Sequence, residues 1–174
     1  MTTYTLNVSD VQVFTALQAW LADALTLPLA AIAHEMDNVV PIPQGGFVLM
    51  NHVNKHELST SIQSYNALSQ VLSYAKSLDY VLQVDLYGSS ASDWATIVDT
   101  FWRSEEASDF LEPYGFDSLY AEDSLHLEFT NAEAQYEERW TTRLHLALNP
   151  VISLSTASMT FAKISPVSVV AAYH

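Results

Sequence analysis

Histidines bring this sequence nearest to chemistry. His52 and His56 stand four apart, a spacing that on a helix lets two imidazoles share one metal ion. The run Phe47-Val48-Leu49-Met50 instead reads as a strand continuing toward Leu58. On a strand, residues four apart share a face but lie about 13 Å apart at ~3.3 Å per residue. With no third ligand nearby, no metal residue is assigned. His126 and His145 have the chemistry of general bases, yet spacing supplies neither a nucleophile nor an orienting acid. Carboxylate pairs occur at Glu105/Glu106, Glu122/Asp123 and Glu137/Glu138. Neighbours on a strand point to opposite faces, so Glu137 and Glu138 cannot act on one substrate. These acids read as solvated. A chain with only four glycines is poorly equipped for a phosphate-cradling loop, and HExxH, GxSxG and calcium-loop patterns are absent. The sequence therefore assigns no catalytic, cofactor-binding or metal residues and predicts a protein that is not an enzyme and has no cofactor.

The elements around these residues are easier to read. From Tyr136, the even positions Trp140, Leu144, Leu146 and Leu148 are apolar, while the odd positions Arg139, Thr141, Arg143 and His145 are polar. That alternation predicts a long strand with one buried and one wet face, as in an antiparallel sheet. Glu138 is the discordant member of the apolar face. Asn149-Pro150 ends the run, because proline cannot donate to a ladder. Ser9-Asp10 predicts a helix start, with Val11, Phe14, Leu17, Leu21 and Leu25 at helical spacing and Pro28 as the stop. A second helix, capped by Ser90 or Ser92, carries Trp94, Ile97, Val98, Phe101 and Trp102 in one stripe. Glu105–Phe110 predicts a short further turn.

Residues 39–46, with two prolines and two glycines, predict a loop. Residues 30–38 are ambiguous. The polar stretch from Ser59 to Gln70 predicts a loop or hairpin tip. Residues 71–87 read as extended chain, with Tyr80, Leu82, Val84 and Leu86 on one face. Leu119–Thr130 predicts another strand, forming a hairpin with the long one. The tail from Val151 is β-rich in composition. The expected fold class is α+β: two amphipathic helices packed on a mostly antiparallel β-sheet, with a β-rich C-terminal extension. One domain over residues 1–150 and an extension over 151–174 are expected.

The 174 residues include 49% hydrophobic and 11% aromatic side chains, enough to build a core that removes roughly 70% of the unfolded surface from water. There is no cysteine, which excludes disulfides and thiolate sites. The longest apolar candidate, Ala24–Ala33, is too short for a span of about 18 residues, and no signal-peptide pattern opens the chain. The formal charge of −14, from 20 acids against 6 bases, argues against binding duplex DNA or anionic membranes, since both require clustered Lys and Arg.

Three segments carry a resemblance. They are Pro41-Ile42-Pro43-Gln44-Gly45-Gly46-Phe47-Val48-Leu49-Met50-Asn51, then Val81-Leu82-Gln83-Val84-Asp85-Leu86-Tyr87-Gly88. The most specific is the signature Gln135, Tyr136, Glu137, Glu138, Arg139, Trp140 continuing to Asn149, Pro150 and Val151. In this order they resemble the neck and tail-terminator proteins of long-tailed bacteriophages, over most of the first 150 residues. The resemblance implies a structural virion protein, assembled in the host cytoplasm as a homo-hexameric ring. Such a ring terminates the tail tube and joins it to the head–tail connector, and DNA passes through its bore without specific binding. No membrane partner is implied. Another neck or tail-completion adaptor is the alternative, and an acidic DNA mimic a more distant one. Met159, Phe161, Ile164, Val167 and Val169 are candidate subunit contacts, because an extended apolar segment can pair with a neighbour.

Overall fold

A computed structural model describes residues 4–34, 45–130 and 136–156. The architecture is α+β, as the sequence indicates. Its frame is a sheet ordered β2 (Ile32–His34), β3 (Phe47–Glu57), β6 (Leu78–Tyr87), β9 (Tyr136–Leu148) and β7 (Phe116–Ala121), with β8 (Leu125–Thr130) also pairing β9. The β2–β3 pair is parallel and the other pairs are antiparallel. Strand β9 is long enough for β7 to pair its second half and β8 its first.

Helices α1 (Asp10–Leu25), α2 (Ala91–Trp102) and α3 (Glu105–Leu111) share the core with one face of this sheet. In α1, Ser9 and Gln12 form a reciprocal capping box, which satisfies two first-turn donors. The helix stops at Thr26, in the left-handed region at φ 54°, just before Pro28. In α2 the buried stripe is Ala91, Ala95, Val98 and Trp102. Trp94 and Ile97 flank it, and Phe101 is 48% exposed, so the helix is rotated from the expected stripe toward its small residues. The alanines admit close approach to the sheet, and Trp102 fills the space beyond. Its indole edge meets Trp20 of α1 at 4.9 Å and 78°, a favoured aromatic geometry.

A second sheet is ordered β1 (Tyr4–Leu6), β10 (Val151–Ser155), β5 (Val71–Ala75) and β4 (Ile62–Asn66). The expected loop from Ser59 to Gln70 thus contains a strand, β4, whose five residues are all exposed. An element that buries neither face leaves no hydrophobic alternation to read. Its turn is built by Asn66 Oδ1, which accepts from the N–H groups of Leu68 and Ser69 at 3.0 and 3.2 Å. The first residues past position 150 form β10, held between β1 and β5. Residues 39–44 of the expected loop, and Met159, Phe161, Ile164, Val167 and Val169, lie outside the described residues.

Two further expectations change. The strand expected within Leu119–Thr130 is β8, which pairs β9 antiparallel as anticipated, but it begins only at Leu125; residues 119–121 belong to β7, and 122–124 separate the two. His52 and His56 lie on opposite faces, because the ladder slips at Val53. His52 pairs with Leu82, whereas His56 pairs with Asp79. One bulged residue reverses the alternation of everything after it.

The bulge also places Lys55 opposite Tyr80, on the helix side. There Lys55 Nζ meets Asp10 at 2.7 Å and lies 4.9 Å above the Tyr80 ring. Burial, and then the Asp10 carboxylate, push the Tyr80 phenol well above its ordinary pKa. The fold therefore favours neutral Tyr80. That contribution is complete below the ordinary tyrosine value of ~10 and is lost as pH rises through the folded value. Urea midpoints are expected to fall from pH 10 to 12 for the native chain and to fall less steeply for Tyr80→Phe. Parallel slopes would show that Tyr80 does not carry the alkaline sensitivity.

Candidate functional site

Residues of all three signature segments, Gly46-Phe47, Tyr87-Gly88 and Glu138-Arg139-Trp140, meet at one end of the six-stranded sheet, while Asn149 and Pro150 lie at the far end of β9. Phe47, Tyr87 and Arg139 stand in one row across β3, β6 and β9. Phe47 stacks on Tyr87 at 4.5 Å and 8°, and the Arg139 guanidinium lies 5.6 Å from the Tyr87 ring centre. The same guanidinium donates from Nη2 to Asp85 Oδ2 at 3.1 Å. Asp85 is 2% exposed and also accepts from Gln83 Nε2 at 2.9 Å. A buried carboxylate needs such donors, because desolvation without them is costly.

The glycines of the first two segments meet at this corner. Gly88 has φ +106°, and a Cβ there would come within 2.8 Å of the Gly46 Cα. A Cβ on Gly46 would strike the Trp94 ring at 2.4 Å. Two bare backbones thus pass each other beneath α2, and Gly88 N–H donates to Glu138 O at 3.1 Å. The discordant acid of β9 is also accounted for: Glu138 Oε1 accepts the Trp140 indole N–H at 3.0 Å, and Trp140 packs against the core. His126 lies beside Trp140, at 5.3 Å between ring centres. Tyr136 and Glu137 pair in the ladder with Thr130 and Phe129. Asn149 and Pro150 turn the chain from β9 into β10, where Asn149 Oδ1 accepts from Ser77 Oγ at 2.7 Å. Gln135 lies outside the described residues.

His145 is not on a wet face. It is 5% exposed, with Nδ1 at 2.9 and 2.8 Å from the two Asp79 oxygens and Nε2 at 3.5 Å from Glu122. Tyr120 stacks on it at 4.0 Å. Desolvation, followed by the Asp79 and Glu122 carboxylates, raises the Tyr120 phenol. The orienting acid that spacing failed to supply is Asp79, brought by the register of β6 against β9. Both ring nitrogens face carboxylates, so the imidazole is held as a strut. Of the carboxylate pairs, Glu105 and Glu106 open α3 and are exposed. Glu122 pairs with Arg143 at 3.5 Å and Asp123 with Arg103 at 3.9 Å. Among the described residues no group of three or more His, Cys, Asp or Glu could hold a metal ion. No helix among them is long and apolar enough to cross a membrane.

The four-stranded sheet is chemically distinct. None of its residues is charged. Register puts Tyr4, Leu154, Leu72 and Tyr65 in one row and Leu6, Ile152, Tyr74 and Gln63 in the next but one, on a common face. The intervening row, on the opposite face, is Thr5, Ser153, Ser73 and Ser64, and that face also carries Val71, Val151, Ala75 and Ile62. The apolar face opens into a groove of about 480 Å³ against α1, lined by Leu6, Val8, Val13, Tyr74, Leu78 and Ile152 among others.

The described side chains of the signature, Glu138, Arg139 and Trp140, are engaged in packing and pairing, and the four-stranded sheet exposes an apolar face. The chain belongs to the phage neck terminator protein family, whose model matches residues 11–170. The resemblance read from the three segments is thereby borne out, and the match continues past residue 150. The chain is a structural protein of the phage neck, a part of the virion. No curated protein matches it.

Two substitutions probe the corner. Gly88→Ala combines a left-handed φ with a backbone clash and is expected to cost roughly 2–4 kcal/mol. Arg139→Met leaves Asp85 buried without its cation and is expected to cost about 3 kcal/mol, most of it recovered when Asp85→Asn is added. Urea denaturation checks both; a loss under 0.5 kcal/mol (about a twofold change in the folding equilibrium) for either would contradict the packing described.

Proposed function

We propose that six copies of this chain form a ring that terminates the tail tube and joins it to the head–tail connector, with DNA passing through the bore. Family membership carries this reading. The surface chemistry supports it. Among the described residues, Lys55, Lys76, Arg103, Arg139 and Arg143 each lie 2.7–3.5 Å from a carboxylate. With those cations neutralised in a chain of formal charge −14, a DNA phosphate finds no counter-charge on the described surface. Repulsion acts over about 8–10 Å at physiological salt, so acids lining a bore would let DNA slide without sticking. In this reading Met159, Phe161, Ile164, Val167 and Val169 of the extension contact a neighbouring subunit, and the body contacts the tail tube protein and the connector.

Phage made without this chain separates terminator from adaptor. A ring that caps the tube stops its growth, so its loss is expected to give tail tubes beyond normal length that fail to join heads. Normal-length tails with unjoined heads would instead assign the chain to an adaptor or tail-completion role. Joined particles of normal length would overturn both.

A further inference from the structure

We propose that the apolar face of the four-stranded sheet is the acceptor for the C-terminal segment, residues 157–170, of a neighbouring copy. This deepens the ring reading and rests on it. The face is apolar and open: Leu6 is 57%, Tyr74 38% and Ile152 42% exposed. Contiguous exposed apolar surface of this kind marks a contact site, and here it adjoins a groove of about 480 Å³ with a mostly apolar lining.

Charge is compatible with this occupant. Two copies of formal charge −14 repel wherever their acids face each other, and like charges opposed across an interface cost several kcal/mol. All four strands of this sheet are uncharged. Residues 157–174 contain no Asp or Glu, and their basic side chains are Lys163 and His174. This segment and this sheet can therefore meet without opposing carboxylates, and Asp10, the one acid that lines the groove among the described residues, already pairs with Lys55. The segment's Met159, Phe161, Ile164, Val167 and Val169 match the apolar face.

Geometry puts the neighbour within reach. Strand β10 runs from Ile152, at the groove, toward Ser155, and the chain leaves at Thr156, whose N–H donates to Gln70 O at 2.9 Å. It therefore departs from the end away from the groove. Fourteen extended residues reach about 46 Å, against a radius of gyration of about 16 Å for a domain of this length. An adjacent subunit is within reach.

The chain has no native cysteine, so one engineered pair reads the contact directly. Full-length Tyr74→Cys/Phe161→Cys is incorporated into phage particles, which are purified and oxidised. A ladder of covalent multimers on a non-reducing gel is expected. A monomer that has lost both thiols would mean that the segment folds onto its own sheet and would overturn the proposal. Retained thiols in particles that show a ring by imaging would overturn it while leaving the ring reading intact. Absence of the chain from particles would remove the ring reading as well. Leu6→Glu, at an exposed edge-strand position, is the second variant. It is expected to keep the native melting temperature and lower assembly at least tenfold; unchanged assembly would count against the proposal.

Discussion

Strand β6 is paired along both edges and buried on both faces, yet it carries two carboxylates, Asp79 and Asp85, on the face away from the helices. Neither can stay there without donors. Both find them on β9: Arg139 for Asp85 and His145 for Asp79. Six residues separate the acids on β6, and six separate their partners on the antiparallel β9. Each partner sits two residues diagonal to its acid, because Asp79 lies opposite Ala147 and Asp85 opposite Thr141. A slip of two residues preserves the side-chain faces; in one direction it carries both partners out of reach, and in the other it sets them directly opposite the acids. Apolar alternation decides which face is buried. The two polar pairs exclude the first of those slips. Such buried polar pairs add little net stability, but removing one partner leaves the other stranded.

From the pinned β6–β9 ladder the rest follows. β9 offers its other edge to β7 and β8, and its helix face carries Leu144, Leu146 and Leu148 into the core. β3 closes the opposite side, where Gly46 passes Gly88 and Phe47 stacks on Tyr87. Gly46, Phe47, Tyr87, Gly88 and Arg139, all within the three segments, are therefore closely packed parts of this frame.

Local and period-two signals were legible in the sequence. The capping box at Ser9, the stop near Pro28 and the alternation of β9 all follow from residues close to one another. What was not legible depends on pairing between distant parts. The bulge at Val53 separates His52 from His56, and only the β3–β6 register reveals it. Asp79 and His145 are 66 residues apart, and an apparently wet strand face hid their contact. The four-stranded sheet gathers residues from both ends and the middle of the chain. Because it buries little, β4 had no hydrophobic pattern to betray it. Its uncharged composition was visible, but acquires meaning only when the four strands stand side by side in an acidic protein.

Imaging intact virions by cryo-electron microscopy would test six-fold assembly at the junction of tail tube and connector. Six copies in a ring at that junction are expected, with carboxylates lining the bore and the uncharged sheet turned toward the next copy. A chain located away from the neck, or a bore lined by Arg103, Arg139 and Arg143, would contradict it.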